Sequence, residues 1–239
     1  MNFDFSSEDR MIQEQVRRFL SEQSPLSRHR SVMEGQSLQA SDVWQGLAEL
    51  GLQGTAIPEA FGGVGAGYLP LCLVAQELGG VLAAVPFSSS VYLATEAISC
   101  FGSADQKERY LPKLASGEWV GTLAVSEGPL APSPNNLTVA RSGDTISGKK
   151  LVVPHGLAAN FAVVLVKSGA GTDLVLAGLD GIERAAVEIV DPSIAAATID
   201  FAETPCESLG EPGDGWTMLD TLQHRAAVLY AFEQIGGAE

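Results

Sequence analysis

The stretch "FGSADQKERYLPKLASGEWVGTLAVSE", residues 101–127, changes its period in the middle. Its first half opens on a capping box, Ser103 to Gln106, ahead of a helical run. Pro112 is expected to kink or end that helix, because proline has no N–H to give and its ring crowds the preceding turn. Ser116 and Gly117 close it. From Trp119 the pattern becomes a short apolar strand that halts at Ser126-Glu127. Three prolines, Pro129, Pro132 and Pro134, follow at once. A strand that runs into so stiff a turn raises the question of what lies against its end.

The helical period governs everything on the N-terminal side. Ser6 or Ser7 caps a first helix, with Asp9 as the capping-box acid and Met11, Ile12, Val16, Phe19 and Leu20 as its apolar stripe. "ASDVWQGLAELG" repeats the plan, with Ser41 or Asp42 as cap, Val43, Trp44, Leu47 and Leu50 inward, and Gly51 as the stop. Further helices are expected around "LPLCLVAQELG" and "SSVYLATEAISCFG". On the C-terminal side the period is that of strands: "WVGTLAVS", "LTVARSGDTISG", "FAVVLVKS", "DLVLAGLD", "AAVEIVD" and "ATIDFAE", with "SGD" as a hairpin turn. Helical spacing returns in "GWTMLDTLQHRAAVLYAFEQIGGAE". The expected organisation is α+β: a helical domain over 1–118, an antiparallel β-sandwich or barrel over 119–210, and an incomplete helical segment over 211–239. The apolar residues of that last segment, Trp216, Met218, Leu219, Leu222, Val228, Leu229, Tyr230 and Phe232, are expected to lie exposed and to need a partner surface.

Composition limits the function. Of 239 residues, 46% are apolar, which suffices for a core, and the formal net charge is −15. That charge argues against nucleic acid and anionic membranes as partners. Cys72, Cys100 and Cys206 sit in apolar contexts and read as reduced thiols of a cytoplasmic protein. His29, His155 and His224 lack metal-ligand spacing, so no metal site is expected. No apolar run approaches the roughly 20 residues of a membrane span, and the acidic, polar "MNFDFSSEDR" is no signal peptide.

Four motifs in order resemble the acyl-CoA dehydrogenase family of flavoproteins: "GLQGTAIPEAFGGVG", the helix-to-strand junction quoted above, "ISGKKLVV" followed by "ANFAVVLV", and "LGEPGDGWTMLDTLQHRAAVLYAFEQIGGA". The resemblance implies FAD as cofactor and an acyl-CoA thioester as substrate. It places Leu123, Val125 and Ser126 against the flavin ring, with the Ser126 hydroxyl and neighbouring main-chain groups on its pyrimidine edge. Val152, Val153 and Pro154 match the family's Trp-Ile-Thr run, and Arg225 matches an arginine that contacts the CoA part of the substrate.

The departures from the family pattern are specific. The Gly/Ala-rich turn usual after the Ser-Glu pair is "GPLAPSPNNL" here, and neither Val152 nor Pro154 supplies the side-chain hydrogen bond of the residues they replace. The acidic residue usual three positions before the arginine is Leu222. No catalytic base is assigned. His224, at the position where a minority of relatives carry their glutamate, reads rather as an ordinary surface or core histidine. Glu127, Lys149 and Lys150 read as solvated or hydrogen-bonded turn residues. Two functions follow from the resemblance: a FAD-dependent acyl-CoA dehydrogenase subunit that desaturates an acyl-CoA between Cα and Cβ, or a half-site partner in a heteromer with another such chain, as in the breakdown of steroid side chains or dicarboxylic acids.

Overall fold

The computed structural model describes residues 5–239; residues 1–4, the start of the polar N-terminal stretch, lie outside the described residues. Helix α1 (Ser7–Gln23) begins at the expected box, where Asp9 N donates to Ser6 Oγ at 3.1 Å and Ser6 N donates to Asp9 Oδ2 at 2.9 Å. Val16 and Leu20 are fully buried, but Met11 is exposed. Five residues before Val16 is about 140° around the helix, so Met11 cannot share its stripe. Helix α2 (Leu26–Met33) leads to α3 (Ser41–Glu49). The start of α3 departs from expectation. Its cap is Ala40, not Ser41 or Asp42, and Ala40 N donates to Ala84 O at 2.8 Å, so a tertiary bond fixes the helix start. Gly51 stops the helix region in the left-handed conformation, φ 74°, as the sequence implies.

Helix α4 (Tyr68–Gly80) is buried on nearly every side. The next helix is wound as a π-helix over Ser88–Thr95 before α5 (Glu96–Phe101) resumes the ordinary pitch. Helix α6 (Ala104–Ala115) carries the Ser103–Gln106 box and runs straight through Pro112. Pro112 is exposed, so the carbonyl it leaves unpaired is solvated and the helix tolerates it.

The strands are β1 (Gly121–Ala124), β2 (Ala140–Ser142), β3 (Thr145–Val153), β4 (Phe161–Ser168), β5 (Gly171–Gly178), β6 (Glu183–Ala186), β7 (Ala197–Pro205) and β8 (Glu207–Leu209). They form one sheet in the order β6-β7-β3-β2-β4-β5-β8, with β1 paired to β4. Most pairs are antiparallel, but β1 and β2 both run parallel to β4, so the sheet is mixed. No crossover helix is needed, because the β2–β3 hairpin joins β1 to β4. That hairpin turns on Gly143, φ 60°, within "SGD" as expected. Two strand assignments differ from expectation. "AAVEIVD" pairs only at Ala185 and Ala186, where Glu188 and Pro192 break the alternation that follows, and β8 carries no strand signal of its own.

Helix α7 (Gly215–Ala238) packs against α4 and β5. The expected apolar face is largely covered within the chain. Met218, Leu219, Leu222 and Leu229 are buried, and only Val228 and Tyr230 of the residues named above count as exposed. Two glycines set the seam. An added Cβ at Gly79 would lie 1.9 Å from Glu233 O, and one at Gly236 would lie 1.8 Å from Gln76 O.

Candidate flavin-facing site

The sequence places the candidate site where β1 leaves the sheet and β3 ends, and the fold brings those two segments together. Leu151 N donates to Ser126 O at 2.8 Å, and Thr122 Oγ1 donates to Pro154 O at 2.6 Å. The named residues then divide. Leu123 and Val153 are buried in the core. Val125 and Ser126 are half-buried, and Val152 and Pro154 are exposed. Val152 stands out because the β3–β7 register shifts between Lys150 and Val153, and its φ is 52°. A bulge of this kind re-aims a side chain out of the sheet. Arg225 packs elsewhere. Its Nε meets Glu96 Oε1, its guanidinium lies 4.9 Å from the Tyr68 ring centroid, and Tyr68 Oη donates to its carbonyl at 2.6 Å. His224 lies on the exposed side of α7, where its Nδ1 is 2.9 Å from Asp220 O.

Lys150 is the residue that sequence reasoning misplaced. Lys149 is exposed and pairs with Asp200 at 2.9 Å. Its neighbour is fully buried, and Lys150 Nζ donates to Val125 O at 3.0 Å and to Glu127 Oε1 at 2.6 Å. Adjacent strand residues face opposite ways, so in a half-buried strand "KK" must send one lysine inward. That alternation was the available signal. Glu127 also accepts from Thr138 N at 2.5 Å and Thr138 Oγ1 at 2.6 Å. Burial pushes the Lys150 amine below its ordinary range, and the facing carboxylate opposes this. Burial pushes Glu127 up, but the hydrogen bonds from Lys150 and Thr138 outweigh it and hold the carboxyl below its ordinary value. The two groups therefore shift the same way for opposite reasons, the amine through burial and the carboxyl through its donors. The opening question has a structural answer: the strand stops because its last carbonyls and its glutamate are tied to β3 and to the start of β2.

Beside this site His155 is buried and neutral, its Nδ1 2.7 Å from Ser89 Oγ, with burial holding its pKa at about 4. A cleft of about 340 Å³ opens there between His155, the 191–194 loop and the last turns of α7. Among the described residues no cluster of His, Cys, Asp and Glu could hold a metal ion, and no helix is long and apolar enough to cross a membrane.

A family profile described as the acyl-CoA dehydrogenase N-terminal domain matches residues 6–118. Mitochondrial isovaleryl-CoA dehydrogenase of Bos taurus is 32% identical over 170 residues, 68% of this chain and 40% of that protein. A solved steroid acyl-CoA dehydrogenase, Tcur3481-Tcur3483, superposes on 93% of this chain and 62% of its own with a TM-score of 0.81 at 29% identity. The chain belongs to the acyl-CoA dehydrogenase family. An acyl-CoA dehydrogenase of Bacillus anthracis, solved in complex with FAD, shares the fold with a TM-score of 0.86 at 22% identity over 98% of this chain and 44% of that one. The chain thus spans about 40% of the length of the bovine relative and 62% of the steroid enzyme chain.

The donor set fits a flavin in part. The Ser126 hydroxyl and the Ser126 and Glu127 main-chain N–H groups form no hydrogen bond among the described residues. These are donors of the kind a heterocycle's carbonyl edge requires. The carbonyls of Val125, Ser126 and Pro154 are taken internally. Acyl-CoA dehydrogenase members with a Trp-Ile-Thr run would offer an aromatic cover and a hydroxyl where this chain has the exposed Val152 and Pro154.

Proposed function

We propose that this chain is a subunit of a FAD-dependent acyl-CoA dehydrogenase, contributing one wall of the flavin site. The observation that carries the reading is the meeting of the β1 exit and the β3 turn, with Ser126 donors free beside an exposed Val152. FAD, when bound, supplies the hydride acceptor for desaturation of an acyl-CoA thioester. In that reaction the Ser126 hydroxyl and the Ser126 and Glu127 N–H groups hold the cofactor's acceptor edge, and Val152 shields one side from water. Leu123 and Val153 support these contacts from the core, and Pro154 shapes the turn. Arg225 is assigned to the CoA moiety only through its family position. Its present bonding to Glu96 means that an acyl-CoA must compete with a carboxylate for it.

A second reading is favoured by Val152 and Pro154: a half-site subunit that binds FAD tightly only with another acyl-CoA dehydrogenase-like chain, as a heterotetramer in steroid side-chain breakdown. The name of the Tcur3481-Tcur3483 steroid enzyme, a two-component assembly, supports it. We further read the chain as a helical part over 1–118, a β part over 119–210 and the start of a helical bundle over 211–239. The three cysteines form no disulfide, which supports a reducing compartment such as the cytoplasm. Titration of FAD into the isolated chain, and into the chain co-purified with an acyl-CoA dehydrogenase-like chain encoded beside it, tests both readings. Tight binding in the mixture alone supports the half-site. Tight binding by the isolated chain with turnover of an acyl-CoA returns it to an ordinary dehydrogenase. No binding in either sample rejects the flavin reading.

A further inference from the structure

We propose that the buried Lys150–Glu127 pair is the positioning device of the flavin-facing edge, fixing the direction in which the Ser126 and Glu127 N–H groups point. The inference rests on the flavin reading above.

Three bonds tie the β1 exit to β3. Lys150 Nζ takes Val125 O at 3.0 Å, Leu151 N takes Ser126 O at 2.8 Å, and Lys150 Nζ takes Glu127 Oε1 at 2.6 Å. In a trans peptide the carbonyl and the N–H of the same unit point opposite ways. With the Val125 carbonyl turned onto Lys150, the Ser126 N–H must face away from it. With the Ser126 carbonyl turned onto Leu151, the Glu127 N–H must do the same. Both N–H groups form no hydrogen bond among the described residues, and both lie beyond the last β1–β4 pair at Ala124 and Val164. The clamp on the carbonyls therefore aims the donors.

The choice of residues supports a positioning role over a packing one. A fully buried ammonium is costly, and an apolar residue of the same length would fill the space with less penalty. Lysine offers three donors at one compact point on a long stem, and from one strand position it reaches both Val125 O and Glu127 Oε1. Thr138 then holds the second oxygen of Glu127, at 2.6 Å from its hydroxyl, so the carboxylate cannot swing away with the turn. Arg and Glu pairs on the surface, such as Arg109 with Glu207, show no comparable burial.

The test uses the full chain, wild type and Lys150→Met, with two readouts. The first is amide hydrogen exchange at Leu151, measured against the β4 amides of Val163 and Val164 as an internal reference. The second is FAD affinity, by fluorescence titration of the isolated chain and of the co-purified assembly. Folding of each variant is checked by circular dichroism. In a folded Lys150→Met chain, Leu151 exchange is expected to rise and FAD affinity to fall about ten-fold or more, while the β4 amides hold. Wild type that binds FAD and a folded Lys150→Met that binds it equally well overturn the positioning role and leave the flavin reading intact. Wild type that takes up no FAD in either sample removes the flavin reading, and this role with it. If Lys150→Met does not fold, Thr138→Val carries the test. It removes one hydroxyl from Glu127, leaves the ion pair in place, and is expected to weaken FAD several-fold without a change in β4 exchange; unchanged affinity there overturns the proposal.

Discussion

Replacing Gly236 by alanine sets two effects of opposite sign against each other. In a helix interior alanine is favoured over glycine by about 1 kcal/mol. The new Cβ, however, would stand 1.8 Å from Gln76 O and 3.0 Å from Gly80 N. Ordinary contacts of this kind need about 3.4 Å, and these neighbours are backbone, so no side chain can rotate out of the way. Helices α4 and α7 must separate by more than about an ångström, which loosens Leu71, Val74, Ala226 and Leu229, packed in one cluster. Overpacking costs about 1–3 kcal/mol and more where backbone must move, as it must on both sides here, so about 2–4 kcal/mol is assigned to the clash. The clash wins, and a net loss of about 1–3 kcal/mol is expected. At this chain length that is a fall in Tm of about 3–10 °C. Gly237→Ala is the control, because its Cβ would meet only Gly79 O at 3.6 Å, an ordinary contact. It is expected to be neutral or to raise stability by up to about 1 kcal/mol. Urea denaturation of the two variants side by side decides it. A Gly236→Ala chain as stable as Gly237→Ala would refute the close-packed seam.

Other outcomes follow from single residues. His155, held at about 4 when folded against 6.5 unfolded, binds fewer protons folded than unfolded between those values. Stability is therefore full above about pH 6.5 and lost by roughly 3 kcal/mol as pH falls through 4; His155→Phe should flatten that part of a pH–stability curve. The exposed Arg109–Glu207 pair should matter little, so Glu207→Gln is expected to shift urea stability by under about 1 kcal/mol, with the shift shrinking in high salt. Glu96→Gln leaves Arg225 with a neutral partner, and calorimetry should show stronger binding of coenzyme A to this variant than to wild type. Equal affinity would mean that Arg225 does not meet that ligand.

Much of the architecture was legible because period and caps are local. The Ser6–Asp9 and Ser103–Gln106 boxes, the Gly51 stop and the Gly143 turn each depend on residues within one turn of chain. The failures are tertiary. Ala40 caps α3 because Ala84, far along the chain, accepts its N–H. Pro112 survives inside α6 because its face happens to be wet. Strand β8 has too few residues to show a period, and β1 runs parallel to β4, a pairing no local signal carries. At the site, the candidate residues on the two segments did converge, but which carbonyls are consumed depends on Lys150, whose inward direction is visible only once β3 is given a core face.

The glycine seam also bears on the order in which the molecule can be completed. Tyr68 of α4 and Arg225 of α7 are bonded to each other across 157 residues of chain. Such long-range pairing is paid for in loop entropy before it returns anything, and it slows folding. A chain emerging from the ribosome therefore carries α4, apolar on nearly every side, through the synthesis of the entire sheet before its covering helix exists. During that interval Leu71, Val74 and Leu78 face water or a chaperone. Ribosome-stalled chains ending before residue 215 should accordingly bind a holdase that releases them once α7 has cleared the exit tunnel.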